Sequence, residues 1–293
     1  NAASQALFDA LGAWSKIPIS SLSPYRTMTV WDEQSKGVLS FNAQALALKQ
    51  LGHIIEESAL KNALLDIVES HSTITLYDNC QLESVDINDD AVFIRSSLGD
   101  FNARLIIGAD GANSWLRKHL KFNCQETPYD QHAIVCNLTT ELSHNKTAHQ
   151  IFTSEGPLAF LPFKEEHKSS IVWSVSSGRA KELMSYSNDE FCAAVAESFQ
   201  FKLGKVSDVS KRASFPLVER VVEPFIKPRA LLVGDALHTI HPLAGLGVNL
   251  GLADVAALGQ SINANKLVFD SFKTLRHYER SRKGQVRAMT LLM

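Results

Sequence analysis

Apolar residues along this chain recur at two different spacings, and the change of spacing divides it. Ala3, Leu7, Phe8, Leu11 and Trp14 fall three or four apart, with Gly12 and Pro18 closing the run; this predicts a short amphipathic helix. A polar turn over residues 33–37 separates two short strands between 30 and 41. Leu60, Leu64, Leu65, Ile67 and Val68 form the stripe of a second helix, with Ser58 as its N-cap and its end near residue 70. From 74 to 109 the period falls to two. Ile74 and Leu76 open a strand, and Leu82, Val85 and Ile87 make the next. The turn Asn88-Asp89-Asp90 leads back through residues 92–94, and a second turn follows at 97–100: a β-meander. Leu105-Ile106-Ile107 is wholly apolar, the pattern of a strand covered on both faces. It runs into Gly108-Ala109-Asp110-Gly111 and a helix from about 113 to 120.

Strand-like runs then dominate: 133–138, 147–152, 159–163, 171–175 and 214–218, with helical pieces between 179 and 199. They predict one broad sheet in a separate, substrate-facing domain. Residues 229–233 give another short buried strand, ending at Gly234-Asp235. The helix from 248 to about 264 is apolar almost all round, which predicts burial. A last helix from 272 onward carries Arg276, Arg280, Arg282, Lys283 and Arg287. The fold class is α/β in the α+β sense: a discontinuous domain of residues 1–126 and 223–293 enclosing a large-sheet domain of 127–222.

Composition narrows the function classes. Of 293 residues, 45% are hydrophobic and 20% charged, enough for a substantial core. A net charge of −2 offers no basic excess for a nucleic-acid partner. Cys80, Cys124, Cys136 and Cys192 form no CxxC pair, so neither a structural zinc nor a thioredoxin-type site is indicated; free thiols fit a reducing cytoplasm. The most apolar stretch, 230–259, is broken by Asp235, His238, His241, Pro242 and Asp254, whereas a membrane span needs about 20 nearly continuous apolar residues. The arginine-rich last helix reads as a solvated face, with contact to a partner or to anionic lipid as the alternative. The expected location is cytoplasmic, with peripheral contact at the inner membrane open. Both ends fall inside helical patterns, so a fragment is expected, with sequence missing at each end.

Two strand-loop-helix junctions are the candidate sites. In open α/β sheets ligands bind beyond the carboxyl ends of strands, where helix starts present unpaired N–H groups to anions. The first junction is Gly108-Ala109-Asp110-Gly111-Ala112-Asn113-Ser114-Trp115-Leu116-Arg117. There, Asp110 or Asn113 as a plain helix cap competes with a ligand role. The second is Gly234-Asp235-Ala236-Leu237-His238-Thr239-Ile240-His241-Pro242-Leu243-Ala244-Gly245-Leu246-Gly247-Val248-Asn249. A loop so decorated, between a buried strand and a buried helix, points to a ligand. His238 and His241 lack a third partner for zinc. No GxSxG elbow and no P-loop occur.

In this order, about 120 residues apart, the junctions resemble the DG and GD motifs of the class A flavoprotein monooxygenases. The runs Leu11-Gly12-Ala13-Trp14, Leu51-Gly52-His53-Ile54-Ile55-Glu56 and Gly156-Pro157-Leu158-Ala159-Phe160-Leu161-Pro162 are similar to the UbiH-type hydroxylases of ubiquinone biosynthesis. The resemblance implies a Rossmann-like FAD-binding domain over 1–126 and 223–293, incomplete here, and a substrate domain over 127–222. It implies FAD, reduction by NAD(P)H, and oxygen inserted into a hydrophobic aromatic ring bearing a polyprenyl tail. It also implies that Asp235 binds the ribityl–pyrophosphate region. Gly234, Pro242, Gly245, Gly247, Val248 and Asn249 would accompany it around the flavin, and Asp110, Gly111 and Arg117 would act near the pyrophosphate and nicotinamide approach. No catalytic acid or base is named, and no metal. The departures are Leu246 where glutamine is usual, Leu237 where alanine is usual, and the lack of any GxGxxG, whose roughly 30-residue unit is expected before Asn1. Weak or absent FAD binding by the chain itself is therefore expected. A non-hydroxylating flavin oxidoreductase and a non-catalytic assembly protein of the same fold are the alternatives.

Overall fold

A computed structural model describes residues 1–35, 37–242 and 245–291. Local signals set the first elements. Helix α1 (Ala2–Ala10) starts where the Asn1 side chain accepts from Ser4 N–H. Strands β1 (Leu22–Tyr25), β2 (Thr27–Asp32), β3 (Val38–Asn42) and β4 (Gly52–Ile55) follow, then α2 (Glu57–Ser70). Helix α2 begins after Glu56 with no side-chain cap; Ser58, the expected cap, sits inside its first turn. The meander is present as β5 (Leu82–Ile87), β6 (Val92–Ser96) and β7 (Gly99–Ala103). Its first turn is held by Asn88 Oδ1, which accepts from the N–H groups of Asp90 and Ala91. Ile74 and Leu76 form no strand: both side chains are exposed, and the segment joins no sheet among the described residues.

The short strand β8 (Ile106–Gly108) leads to α3 (Trp115–His119). After these come β9 (Cys124–Thr140), β10 (Thr147–Thr153), β11 (Gly156–Pro162), β12 (Lys168–Ser176), α4 (Ser177–Ser185), α5 (Asn188–Ser198), β13 (Val206–Ser207) and β14 (Ala213–Val222). Helix α5 has a full capping box between Ser187 and Glu190. The chain closes through β15 (Ile226–Lys227), β16 (Ala230–Leu232), β17 (His238–Thr239), α6 (Leu246–Ala264) and α7 (Phe272–Leu291).

Two units make up the chain, residues 1–71 with 129–217 and residues 72–128 with 218 onward. In the first, strands run in the order β9-β12-β11-β10-β2-β3. The alternating residues Ile134, Cys136, Ile151, Leu158, Phe160, Ile171 and Trp173 pack on Phe191, Val195 and Phe199 to form its core. The sequence division put residues 1–71 with the other half of the chain. They group with the broad sheet because β2 pairs in parallel with β10, Thr27 to Asp32 against Thr147 to Phe152.

In the second unit β16 lies between β15 and β8, antiparallel to one and parallel to the other. Its three residues are fully buried, and with Phe225, Leu250, Leu258, Leu275, Tyr278 and Val286 they form the core. Strand β8 is the edge of this sheet, so Ile107 is exposed rather than covered on both faces. Helix α6 also differs from expectation. Leu250, Asp254, Leu258 and Ser261 are its buried residues, while Val248 and Val255 face solvent. Being apolar all round did not bury it, because one stripe at helical spacing meets the core.

Candidate functional site

Parallel pairing sets the two junctions side by side. Gly108 is in register with Leu232, so the loops leaving β8 and β16 start from neighbouring strand ends. Val233 N–H donates to Gly108 O at 3.0 Å, extending the ladder into both loops. A side chain at Gly108 would stand 2.5 Å from Leu232 Cδ2 and 3.0 Å from Leu116 Cδ2, so any larger residue would have to displace two buried leucine side chains.

At the first junction Ser114, not Asn113, is the N-cap of α3: its side chain accepts from Arg117 N–H. Asp110 is exposed, and its Oδ2 accepts from Leu116 N–H at 3.0 Å, so this carboxylate does hold the helix start. Gly111 takes φ of +78° with open space where a side chain would project. Arg117 is 2% exposed. Its Nη2 donates to Ala112 O at 2.7 Å and its Nη1 to Ala236 O at 2.9 Å. In this structure the guanidinium joins the two loops to each other.

At the second junction Gly234 takes φ of +59° and opens a 3-10 turn, Gly234–Ala236, that leaves Asp235 exposed. Behind the turn lies a buried cluster unread in the sequence. Asp254 Oδ2 accepts from Gly234 N–H at 3.1 Å and lies 2.7 Å from His238 Nε2; Oδ1 accepts from Arg282 Nε at 2.7 Å. A carboxylate that takes two other donors sets the tautomer: Nε2 of His238 carries the proton. Arg282 also donates from Nη2 to Leu250 O. Tyr278 hydroxyl donates to Leu232 O at 3.0 Å, and burial, reinforced by the Asp254 charge, pushes its phenol pKa up. Arg282 therefore lies in the core, not on the solvated face its helix was expected to present. The sequence signal for this cluster is Asp254 itself, an acidic residue inside an apolar helix, where its chain neighbours give no hint of a partner.

Pro242 is half-buried, and burial pushes the neighbouring His241 imidazole below its ordinary pKa. Leu243 and Ala244, in the same motif, lie outside the described residues. Gly245 takes φ of +63° as N-cap of α6, with no side chain to cap the helix. Among the described residues nothing lies within 4 Å of the side-chain position at either Gly245 or Gly247. Val248 is 69% exposed, and Asn249 Nδ2 donates back to Gly245 O at 2.7 Å. The result is the start of a 19-residue helix without a side-chain cap, its dipole and first-turn N–H groups beside two glycines over which nothing stands among the described residues.

A family described as an FAD binding domain matches residues 4–291, nearly the whole chain. The chain is 35% identical over 286 residues to 3-demethoxyubiquinol 3-hydroxylase of Escherichia coli, covering 96% of this chain and 72% of that protein. The chain belongs to the FAD-dependent monooxygenases. It is also 31% identical over 305 residues to the ubiquinone biosynthesis monooxygenase COQ6 of Homo sapiens, covering 89% of this chain and 64% of that protein. Among solved structures, PqsL of Pseudomonas aeruginosa superposes with a TM-score of 0.84 at 18% identity, covering 98% of this chain and 82% of that one, which speaks for the fold.

The monooxygenase's own residues fit the flavin end of FAD. An acceptor such as a flavin carbonyl needs uncapped N–H donors and a surface without side chains, and Gly245 and Gly247 at the start of α6 offer both. No helix among the described residues is long and apolar enough to cross a membrane.

Proposed function

We propose that the protein containing this chain hydroxylates the aromatic ring of a phenol or benzoquinol with a polyprenyl tail, using FAD, NAD(P)H and dioxygen, in ubiquinone biosynthesis. The carrying observation is the pair of loops at the ends of β8 and β16, stapled by Arg117, beside the uncapped start of α6. When bound, FAD supplies the reducing electrons of NAD(P)H to dioxygen; one oxygen atom enters the ring and the other leaves as water. The chain's residues bind and orient. Asp235 would meet the ribityl–pyrophosphate region, and Gly234, Pro242, Gly245, Gly247, Val248 and Asn249 would lie around the ring system. Asp110 and Gly111 would border the pyrophosphate, and Arg117 fixes the loop that carries them. N–H donors at the start of α6 would favour negative charge on a flavin carbonyl bound there, as such donors do wherever charge develops in a water-poor site.

We also assign cofactor binding to residues 1–126 with 223–293 and substrate binding to 127–222, a division by function that differs from the two packing units in where residues 1–71 belong. The partners are a hydrophobic aromatic small molecule, oxygen and, peripherally, the membrane in which such a substrate dissolves. Because the 293 residues contain no GxGxxG phosphate cradle, the chain by itself holds FAD weakly. A purified chain carrying one FAD, with a flavin spectrum, would overturn that statement.

The deciding experiment gives the full-length protein FAD, NAD(P)H, isotopically labelled dioxygen and a short-chain prenylphenol. Labelled oxygen in the ring product is expected. NAD(P)H oxidation with a reduced but unlabelled product points instead to a non-hydroxylating oxidoreductase. Neither FAD uptake nor NAD(P)H oxidation points to an assembly protein.

A further inference from the structure

The most exposed large apolar side chain among the described residues is Leu267, at 89%. It lies in the 3-10 turn Lys266–Val268 between α6 and α7, followed by Val268 at 53% and Phe272 at 46%. Exposed apolar side chains are usually scattered; here three cluster within six residues.

The turn that presents them is firmly built. Val268 N–H donates to Asn265 O, and Val268 O accepts from Thr274 Oγ1 at 3.0 Å. Arg104 Nη2 donates to Leu267 O, and the Arg104 guanidinium lies 4.4 Å from the centre of the Phe269 ring. Asp270 takes both Arg104 and Arg229. Leu267 is thus held outward by a braced backbone.

Within residues 263–280 the exposed charge has one sign; the nearby acidic side chains outside that segment are Asp89 and Asp90, on the exposed turn whose Asp89 O accepts from Arg229. Asp270 is consumed by its two arginines, and Glu279 is buried, accepting from Phe225 N–H. The exposed charged side chains from 263 to 280 are Lys266, Lys273, Arg276 and Arg280, and none forms an ion pair among the described residues. Lys273, Arg276 and Arg280 share one face of α7 at spacings of three and four, and Arg276 lies 5.4 Å from the centre of the Phe272 ring.

We infer that residues 266–280 are a docking surface for an anionic lipid bilayer, with Leu267, Val268 and Phe272 entering the interface and the four cations meeting headgroups. An apolar tip with a cationic collar matches a bilayer's order, apolar interior beneath anionic headgroups. An acidic protein surface would satisfy the cations but leave the tip without an apolar counterpart.

The test uses the purified chain and sedimentation with two vesicle types, phosphatidylcholine alone and phosphatidylcholine mixed with phosphatidylglycerol. Binding to the mixed vesicles only, weakened by salt, is expected. Lys273→Glu with Arg276→Glu lowers it about ten-fold or more, since each basic side chain near a charged surface contributes roughly five-fold. Leu267→Asp lowers it about five-fold or more. Leu39→Asp, on exposed β3, leaves it unchanged and controls for nonspecific adhesion. Equal thermal melting of all variants shows that folding is intact, as expected for exposed positions. No vesicle binding, or binding equal for parent and patch variants, overturns the inference; so does salt-sensitive self-association through the patch without vesicle binding. The assay needs neither cofactor nor turnover, so its failure is distinct from a failure of the hydroxylation test.

Discussion

The Arg117 guanidinium ends on the carbonyl oxygen of Ala236, 2.9 Å away and 119 positions along the chain. With its second bond to Ala112 O, one buried cation fixes the spacing of both loops. Arg117→Met leaves those carbonyls without their donor. A cost of about 2–4 kcal/mol is expected for buried groups stripped of a charged donor. Melting should fall by roughly 5–10 °C in a chain of this size. Arg117→Lys should recover only part, since an ammonium cannot span two carbonyls as the fork does. An Arg117→Met chain that melts with the parent would remove the staple from the account.

Close approach of α6 to the Gly234 turn makes a second, sharper prediction. A Cβ on Gly251 would stand 3.0 Å from Gly234 Cα, a backbone atom that cannot swing aside. Gly251→Ala should therefore push the helix off the turn, at about 1–3 kcal/mol, and weaken FAD uptake by the intact protein. Gly259, on the same helix, has nothing within 4 Å of that position. Gly259→Ala should stabilise by about 0.5–1 kcal/mol, the ordinary gain within a helix. Denaturant unfolding of the two variants should give opposite signs; equal signs would sink the close-packing argument.

These relationships differ in how far the sequence showed them. The meander of β5, β6 and β7 was legible because alternation and the Asn88 turn are local. So was the strand-loop-helix form of both junctions, since glycines and small polar residues punctuate buried runs. Ile74 and Leu76 misled because two apolar residues at period two do not make a strand without a partner. The membership of β2 in the broad sheet was invisible, as its partner β10 lies about 120 residues away. Asp254 looked like an interruption and Arg282 like surface charge. Only folding shows that one neutralises the other.

That pairing carries the third prediction. Asp254 is fully buried with a histidine, an arginine and a backbone N–H on its two oxygens. Asp254→Asn strands the Arg282 charge and should cost about 3–5 kcal/mol. Arg282→Met should cost a similar amount, by stranding the carboxylate. The double variant should be less unstable than the sum by at least about 1 kcal/mol, the mark of direct coupling. Additive losses in urea unfolding would show that the two residues act separately.

The last prediction concerns His149, 8% exposed on β10 between Trp31 and Phe199. Burial, with the positive charge of Lys202 and then His144 adding to it, lowers its pKa from 6.5 to about 4. The folded state then binds fewer protons than the unfolded state between those values, so stability rises with pH across that window. The contribution is fully present above pH 6.5 and is lost as pH falls toward 4. Its size is about 3 kcal/mol, from the free energy of a pKa difference this large at a buried site. His144 is depressed by burial too, so the parent profile holds more than one slope. The difference between parent and His149→Leu isolates the wanted one. Measured as unfolding free energy from pH 4 to pH 7, the variant's profile should be flatter, so that its stability relative to the parent rises toward the acid end. Parallel profiles would mean that His149 takes its proton without cost, and that the aromatic cage around it is open to water.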